Sequence, residues 1–497
     1  MVFYLSFIFF LIMFSSSSKN SNKKKSKKSL FKRVMAWLHL WLGLASGIIV
    51  VIVSLTGCIY VFQAEINDFI EDWRFVKPQE KAFLLPSQLV TIADQTMKGK
   101  HATSVTLGGK DEAAIVGYFT QKKGGDAKGR EGKKGDESNK KEVGSVQNNT
   151  VAAKKQKTER AGNEKSIAKE KGDGKEKGKE EKPKKRRGGI FTSVYMNPYT
   201  GEVLHVKSVS RTDSPDFFRF ILNGHRALWL PYDIGRPIVG VAVLIFVFLL
   251  LSGLVLWWPT KWIKSIRDKS FKIKWSASFK RVNYDMHNVL GFYSMIVLLI
   301  ISLTGLVWSF GWFSKSLYWV TSGGTPLSDN REAPKSDTTN IKAFSVTTVD
   351  KVLLNLSKEN PQAAGIMVSI PEKPSGAIGA FVYKKKNTYY NMDRYSFDQQ
   401  TLKEISIKTP FSGKYEEANV PDKIRRMNYD IHVGSVLGLT GKIIAFLASL
   451  ISASLPITGF LIWWGKQKFG KKSTAKPQAT GKTIPKLKEI TEKELAV

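Results

Sequence analysis

Histidine is the residue type through which this chain could do chemistry. Its 497 residues hold six, His39, His101, His205, His225, His287 and His432, against one cysteine, Cys58. A single cysteine excludes a disulfide framework, a Cys-rich zinc site, an iron–sulfur cluster and covalent attachment through Cys-x-x-Cys-His. Non-covalent cofactors held by imidazole remain. Four of the histidines carry an arginine six residues earlier: Arg33 before His39, Arg219 before His225, Arg281 before His287 and Arg426 before His432. His101 and His205 lack this feature and read as ordinary loop histidines.

The elements that must position these four are membrane spans. Val34–Ala64, Pro237–Thr260, Asn288–Ser314 and Ile443–Gly465 contain no Asp, Glu, Lys or Arg, and each reaches the roughly 20 residues a bilayer crossing needs. Basic residues flank one side. Residues 19–33 hold eight and no acid, Pro259–Arg281 eight against one acid, and the tail 465–497 nine against three. Positive charge gathers on the cytoplasmic side, so both termini are expected there and the two long connections face outward. The net charge of +35 then needs no nucleic acid to explain it. Much of the charge sits in 121–190, where 35 of 70 residues are charged and none is aromatic. That composition cannot offset chain entropy by burial and reads as a disordered insertion.

An internal repeat sets the pairing of the histidines. KRVMAWLHLWLGLASGIIVVIVSLTGCIYVF (32–62) aligns without a gap to KRVNYDMHNVLGFYSMIVLLIISLTGLVWSF (280–310), at an offset of 248. RFILNGHRAL (219–228) matches RMNYDIHVGS (426–435), and SGLVLWW (252–258) matches TGFLIWW (458–464). The chain is thus two parallel copies of span, outer loop, span. Each loop starts with an amphipathic helix, PSQLVTIADQTM (86–97) or SVTTVDKVLLNLSKEN (345–360), and continues in strand-like runs. NPYTGEV marks a turn with Gly201 at its positive-φ position. The expected fold class is a polytopic α-helical membrane protein of four spans in two parallel repeats, with two outward α+β modules.

The expected order is an apolar N-terminus with a basic segment (1–31), a first span (32–64) and a first module (65–218). A His-bearing segment with the second span (219–260), a basic link (261–281) and the third span (282–314) follow. The second module (315–424), a His-bearing segment with the fourth span (425–465) and a basic tail (466–497) complete it.

The R-x5-H-x3-G and Thr-Gly elements of spans one and three, HVGSVLGLTGK and ITGFLIWW at span four, and NPYTGEV in the first module together resemble the PepSY-associated transmembrane family. Its members include bacterial inner-membrane ferric-siderophore reductases with two b-type haems. The resemblance implies PepSY-like modules, two haem b per chain, and electron flow from quinol or a cytoplasmic donor to a ferric-siderophore or another outer acceptor. Span two departs from the pattern after His225, reading RALWLPYDIGRP.

Depth sorts the histidines to match. Spans one and three run outward, which puts His39 and His287 near the cytoplasmic face; spans two and four run inward, which puts His225 and His432 near the outer face. Two imidazoles on opposite sides of one iron are what a six-coordinate b-type haem requires. Arg33, Arg281, Arg219 and Arg426 are then candidates for the haem propionates. The expected function is a membrane haem oxidoreductase of the bacterial inner membrane, in contact with lipid and reducing an outer ferric chelate. The alternative is a non-redox, membrane-anchored PepSY protein that binds a ligand or restrains a peptidase. Haem separates the two.

Overall fold

The computed structural model describes residues 30–121, 189–210, 216–259, 261–327, 333–339, 344–407 and 409–470. The expected disordered insertion lies, apart from its two ends, outside the described residues, as do the N-terminal apolar run and most of the basic tail.

In chain order, α1 (Leu30–Tyr60) is followed by α2 (Gln63–Ile70) and α3 (Pro86–Thr96). Strands β1 (Ala102–Leu107), β2 (Ala114–Gln121), β3 (Gly189–Met196) and β4 (Val203–Ser210) come next. Then come α4 (Phe217–Ala227), α5 (Tyr232–Trp257), α6 (Lys264–Phe271), α7 (Phe279–Ser309) and α8 (Gly311–Thr321). The order ends with α9 (Thr347–Glu359), β5 (Gly365–Ser369), β6 (Ile378–Tyr383), β7 (Asp393–Phe397), α10 (Val420–His432) and α11 (Gly438–Gly470).

Among the described residues four helices are long and apolar enough to cross a membrane: Leu30–Tyr60, Tyr232–Trp257, Phe279–Ser309 and Ser435–Gln467. They match the four charge-free runs. The third run was expected to continue to Ser314, but Phe310 adopts an extended backbone and separates α7 from α8. The spans form a ring in which α1 packs on α5 and α11, and α7 packs on the same two neighbours. Small residues set the approach: a Cβ on Gly47 would stand 3.1 Å from Pro456 of α11, the close contact that glycine permits between membrane helices. Val50, Phe246, Leu250, Leu298 and Ala448 fill the middle of the ring, while Ile48, Ile296 and Leu447 stay exposed on its outside, facing where lipid would be.

The loops fold together. Each contributes the expected helix and strands, with Gly201 at φ 77° in the β3–β4 turn, yet they do not close as two separate sheets. One antiparallel seven-stranded sheet runs in the order β4-β3-β2-β1-β5-β6-β7. The join is β1 with β5, where Val105 faces Val368 and both are fully buried. Each module alone would leave a strand edge with unpaired N–H and C=O groups, and the pairing satisfies both edges at once. Helices α3 and α9 cover one face, with Leu89, Val116, Val349, Leu353, Ile378 and Val382 in the shared core.

A second link crosses the same boundary. Asp350 of α9 accepts the Ser87 N–H at 2.7 Å and the Ser87 hydroxyl at 2.6 Å, so one module's carboxylate caps the other module's helix. The sheet is tied to the spans by Lys442 of α11, buried and 2.6 Å from Glu65 of α2. Asp430 of α10 also accepts the Tyr389 N–H at 3.2 Å.

Two outcomes follow from this packing. Asp350→Ala should destabilise the fused sheet by about 1–3 kcal/mol, since two charge-assisted bonds are lost, read as a lower thermal midpoint in detergent. Deletion of 122–188 with a short turn in its place should leave folding intact, because Gln121 and Gly189 are cross-strand partners. Shortening the loop stabilises by about 2 kcal/mol at most, and a fall in the same midpoint would contradict it.

Candidate functional site

The four arginine-preceded histidines lie on four different elements: His39 in α1, His225 in α4, His287 in α7 and His432 at the end of α10. The ring of spans brings them together in two pairs. His39 and His287 have ring centres 6.4 Å apart at the end of the bundle away from the sheet. His225 and His432 are 6.1 Å apart at the sheet end. This is the pairing expected from depth. His287 sits in a five-residue π-helical turn, Met286–Leu290, inside α7, a local re-winding that often accompanies functional positions; His39 sits in regular α-helix.

A hydroxyl followed by a glycine holds each ring. The His39 Nδ1 is 2.9 Å from Ser252 Oγ, and the His287 Nδ1 is 2.9 Å from Thr458 Oγ1. The His225 Nδ1 lies 3.3 Å from Thr56 Oγ1 and 2.9 Å from the Val53 carbonyl. His432 matches it, 3.0 Å from both Thr304 Oγ1 and the Ile301 carbonyl. The next residue is glycine in every case. A Cβ at Gly57, Gly305 or Gly459 would stand 3.3 Å from the Cε1 of His225, His432 or His287, and one at Gly253 would stand 3.4 Å from that of His39. The dyads work crosswise: α1 holds the histidine preceding α5 and α5 holds that of α1, while α7 and α11 do the same for each other.

Donor counting fixes the tautomer. A hydroxyl has one proton, and Thr56, Thr304, Thr458 and Ser252 each direct theirs to a carbonyl one turn back, Thr56 to Ile52 at 2.7 Å and Thr458 to Ser454 at 2.9 Å. Each hydroxyl can then only accept from the histidine, and so can the Val53 and Ile301 carbonyls. All four rings therefore carry the proton on Nδ1, and a neutral imidazole of that form has its lone pair on Nε2. That is the state needed to bind a metal, with the Nδ1 proton held by a further partner.

Each pair opens on a cavity. The sheet-end cavity, about 410 Å³, is lined by His225, His432, Gly57, Gly305, Arg226 and Arg236 among others. The opposite cavity, about 580 Å³, is lined by His39, His287, Gly43, Gly291, Gly459 and Lys466 among others. Both sizes are ordinary for a cofactor pocket. Val50 and Phe246 line both cavities and form the wall between them. Among the described residues no three His, Cys, Asp or Glu side chains gather as a metal site, so no carboxylate or thiolate joins either histidine pair in such a group.

The sequence profile of the PepSY-associated TM region matches residues 36–466, from just before His39 to the last turn of the fourth span. The chain belongs to the PepSY-associated TM region family. It is accordingly a membrane protein with apolar spanning helices in contact with lipid. No curated protein matches the chain.

The four arginines expected beside the histidines in this family member are placed elsewhere, and none lines either cavity. Arg281 forms a two-point ion pair with the fully buried Asp285, at 2.8 and 2.9 Å. Arg426 is buried and gives its donors to the carbonyls of Pro410, Ser412 and Gly413. Arg33 is exposed on the first turn of α1, and Arg219 leaves a buried Nε without a hydrogen-bond partner among the described residues. Six residues along a helix is well short of two full turns, so the arginine points away from its histidine. The cations that do line the cavities are Arg226 and Arg236 at the sheet end and Lys466 at the other. His205 stacks on Trp73 at 4.1 Å in the sheet, and His101 is exposed.

Sequence reasoning passed over two signals. One is the Ser/Thr-Gly dyad, present at 56–57, 252–253, 304–305 and 458–459; the other ends on two of the histidines themselves. NYD-x-H recurs at 283–287 and 428–432. Its asparagines clamp the dyads that hold their own histidines: Asn283 Nδ2 donates to the Thr458 carbonyl at 3.1 Å, and Asn428 Nδ2 to the Thr304 carbonyl at 3.2 Å.

Histidine-selective nitrogen NMR on cofactor-free protein checks the tautomer. All four span histidines should show Nδ1 protonated and Nε2 bare; a population dominated by Nε2–H would overturn the donor count.

Proposed function

We propose that this chain is a di-haem b oxidoreductase of the bacterial inner membrane. It carries electrons from quinol or a cytoplasmic donor to an outer acceptor, ferric iron in a siderophore or other chelate. In this reading both termini are cytoplasmic and the seven-stranded sheet faces outward. The spacing within the histidine pairs carries it. A first-row metal bonded to imidazole nitrogens at about 2 Å on both sides sets the ring centres about 6 Å apart, and the pairs stand at 6.1 and 6.4 Å.

Haem, when bound, would supply reversible one-electron chemistry. The protein's share is to hold and tune. His39 with His287, and His225 with His432, would hold one group each, every ring presenting a bare Nε2 because its Nδ1 proton is committed to a hydroxyl or carbonyl. The four dyad glycines leave room for the imidazoles between the helices. Arg226 and Arg236 at one cavity and Lys466 at the other would neutralise carboxylates, the guanidiniums by two-point bonds. The shared wall of Val50 and Phe246 excludes water between the two sites while keeping them adjacent. In this reading the sheet, joined to the outer pair through α4 and α10, receives the acceptor.

The test is spectroscopic. Detergent-purified protein should show a low-spin b-type spectrum with two haems per chain, extractable by acid acetone. His39→Ala and His287→Ala should each remove the same haem, and His225→Ala and His432→Ala the other. A colourless protein after haem-supplemented expression would favour a non-redox PepSY protein, and loss of one common haem from His39→Ala and His432→Ala would break the pairing.

A further inference from the structure

A third cavity, about 910 Å³, lies away from both histidine pairs, on the sheet face opposite α3 and α9. Phe381, Arg394, Ser396 and Phe411 line it, together with Asp422 and Arg426 of α10. Arg394 and Ser396 alternate with the buried Asp393 and Tyr395 along β7, so both turn to this open face.

Arg394 is the unusual residue here. Its guanidinium carbon lies 5.5 Å from the Phe381 ring centre and 5.0 Å from that of Phe411, so aromatic faces hold the cation. Among the described residues its side chain has neither a carboxylate partner nor a hydrogen-bond acceptor. Burial first, and then the charge of neighbouring Arg426, hold its pKa below the usual guanidinium range: the positive charge is uncompensated as it stands. The carboxylates of the groove do not relieve it. Glu417 pairs with Lys414 at 3.3 Å and Asp422 accepts the Tyr318 hydroxyl at 2.9 Å, while Glu372 and Glu404 are exposed at the rim.

We infer that this groove is a binding site for an organic anion, a carboxylate-bearing iron chelate whose carboxylate meets Arg394 and whose carbon skeleton lies against Phe381 and Phe411. A guanidinium presents paired donors that match a carboxylate, and the two rings offer apolar surface on either side. The location suits delivery to the outer histidine pair. Arg426 precedes His432 by six residues on the continuous helix α10, about 9 Å along its axis. The use of the bound chelate as electron acceptor rests on the di-haem reading; binding itself does not.

Equilibrium binding to the full chain in detergent tests the site, with ferric citrate as the anionic probe and a neutral ferric trihydroxamate as the comparison. Ferric citrate should bind the natural protein at least tenfold more tightly than the neutral chelate, and Arg394→Gln should remove that preference. Ser396→Asp, which adds a negative charge beside Arg394 and leaves the aromatic stack in place, should weaken citrate binding tenfold or more, and covers the case in which Arg394→Gln fails to fold. Equal binding of both chelates, no binding of either, or citrate affinity unchanged in both variants would overturn the site. A protein that binds citrate through Arg394 yet takes up no haem would keep the site and end the redox reading. A protein with two haems and no citrate binding would do the reverse.

Discussion

The bundle is organised around one repeated bond, an imidazole Nδ1–H given to a neighbouring helix beside a glycine. A histidine between apolar helices costs free energy unless its polar atoms are satisfied, and here a single helical turn satisfies one of them. The turn can do so because a Ser or Thr hydroxyl passes its proton back along its own helix and is left with acceptor capacity alone. The glycine that follows allows the ring to lie against the backbone. Each dyad thus sets distance and tautomer together, and four dyads in a closed ring allow little independent movement of any span.

This arrangement makes the loops part of the site. His225 and His432 lie on α4 and α10, which link the sheet to the spans, and so their positions depend on how the loops fold. Two free modules would let those helices shift independently. The β1–β5 pairing and the Asp350–Ser87 cap join the modules, and Lys442–Glu65 and Asp430–Tyr389 fasten the result to the bundle. An ion pair with one buried and one part-exposed member is weak evidence of stability; its value here is that Lys442 and Glu65 meet at one position, which fixes register between α11 and α2.

Much of this was legible in the sequence where the physics is local. Uncharged runs of bilayer length mark the spans, and the gapless offset of 248 identifies which histidines correspond; together these are enough to pair His39 with His287 and His225 with His432. The strands and helices of the loops follow from alternation and turn residues. What escaped depends on contacts between distant segments. A Thr-Gly dyad reads as helix packing until the facing helix is known to bring an imidazole. Arg33, Arg219, Arg281 and Arg426 share a spacing with the histidines but point elsewhere, and Arg226 and Arg236, which line a cavity, stand out by no spacing at all. The β1–β5 join is invisible because any exposed edge could have paired with any other.

The two halves of the bundle are alike in plan and unequal in detail, and the inequality has chemical content. Only the second half carries NYD-x-H; Met35 and Ile221 occupy the positions of Asn283 and Asn428 in the first. His287 and His432 are therefore held by dyads whose own backbone is clamped, and they should be the more rigid member of each pair. The pairs are alike in one respect: every Nδ1 meets a hydroxyl, and each ring also has a backbone partner, Leu249 for His39, Val53 for His225, Leu455 for His287 and Ile301 for His432. Each site thereby joins one clamped and one unclamped histidine, and Asn283 and Asn428, which lie outside the cavities, set the difference between them.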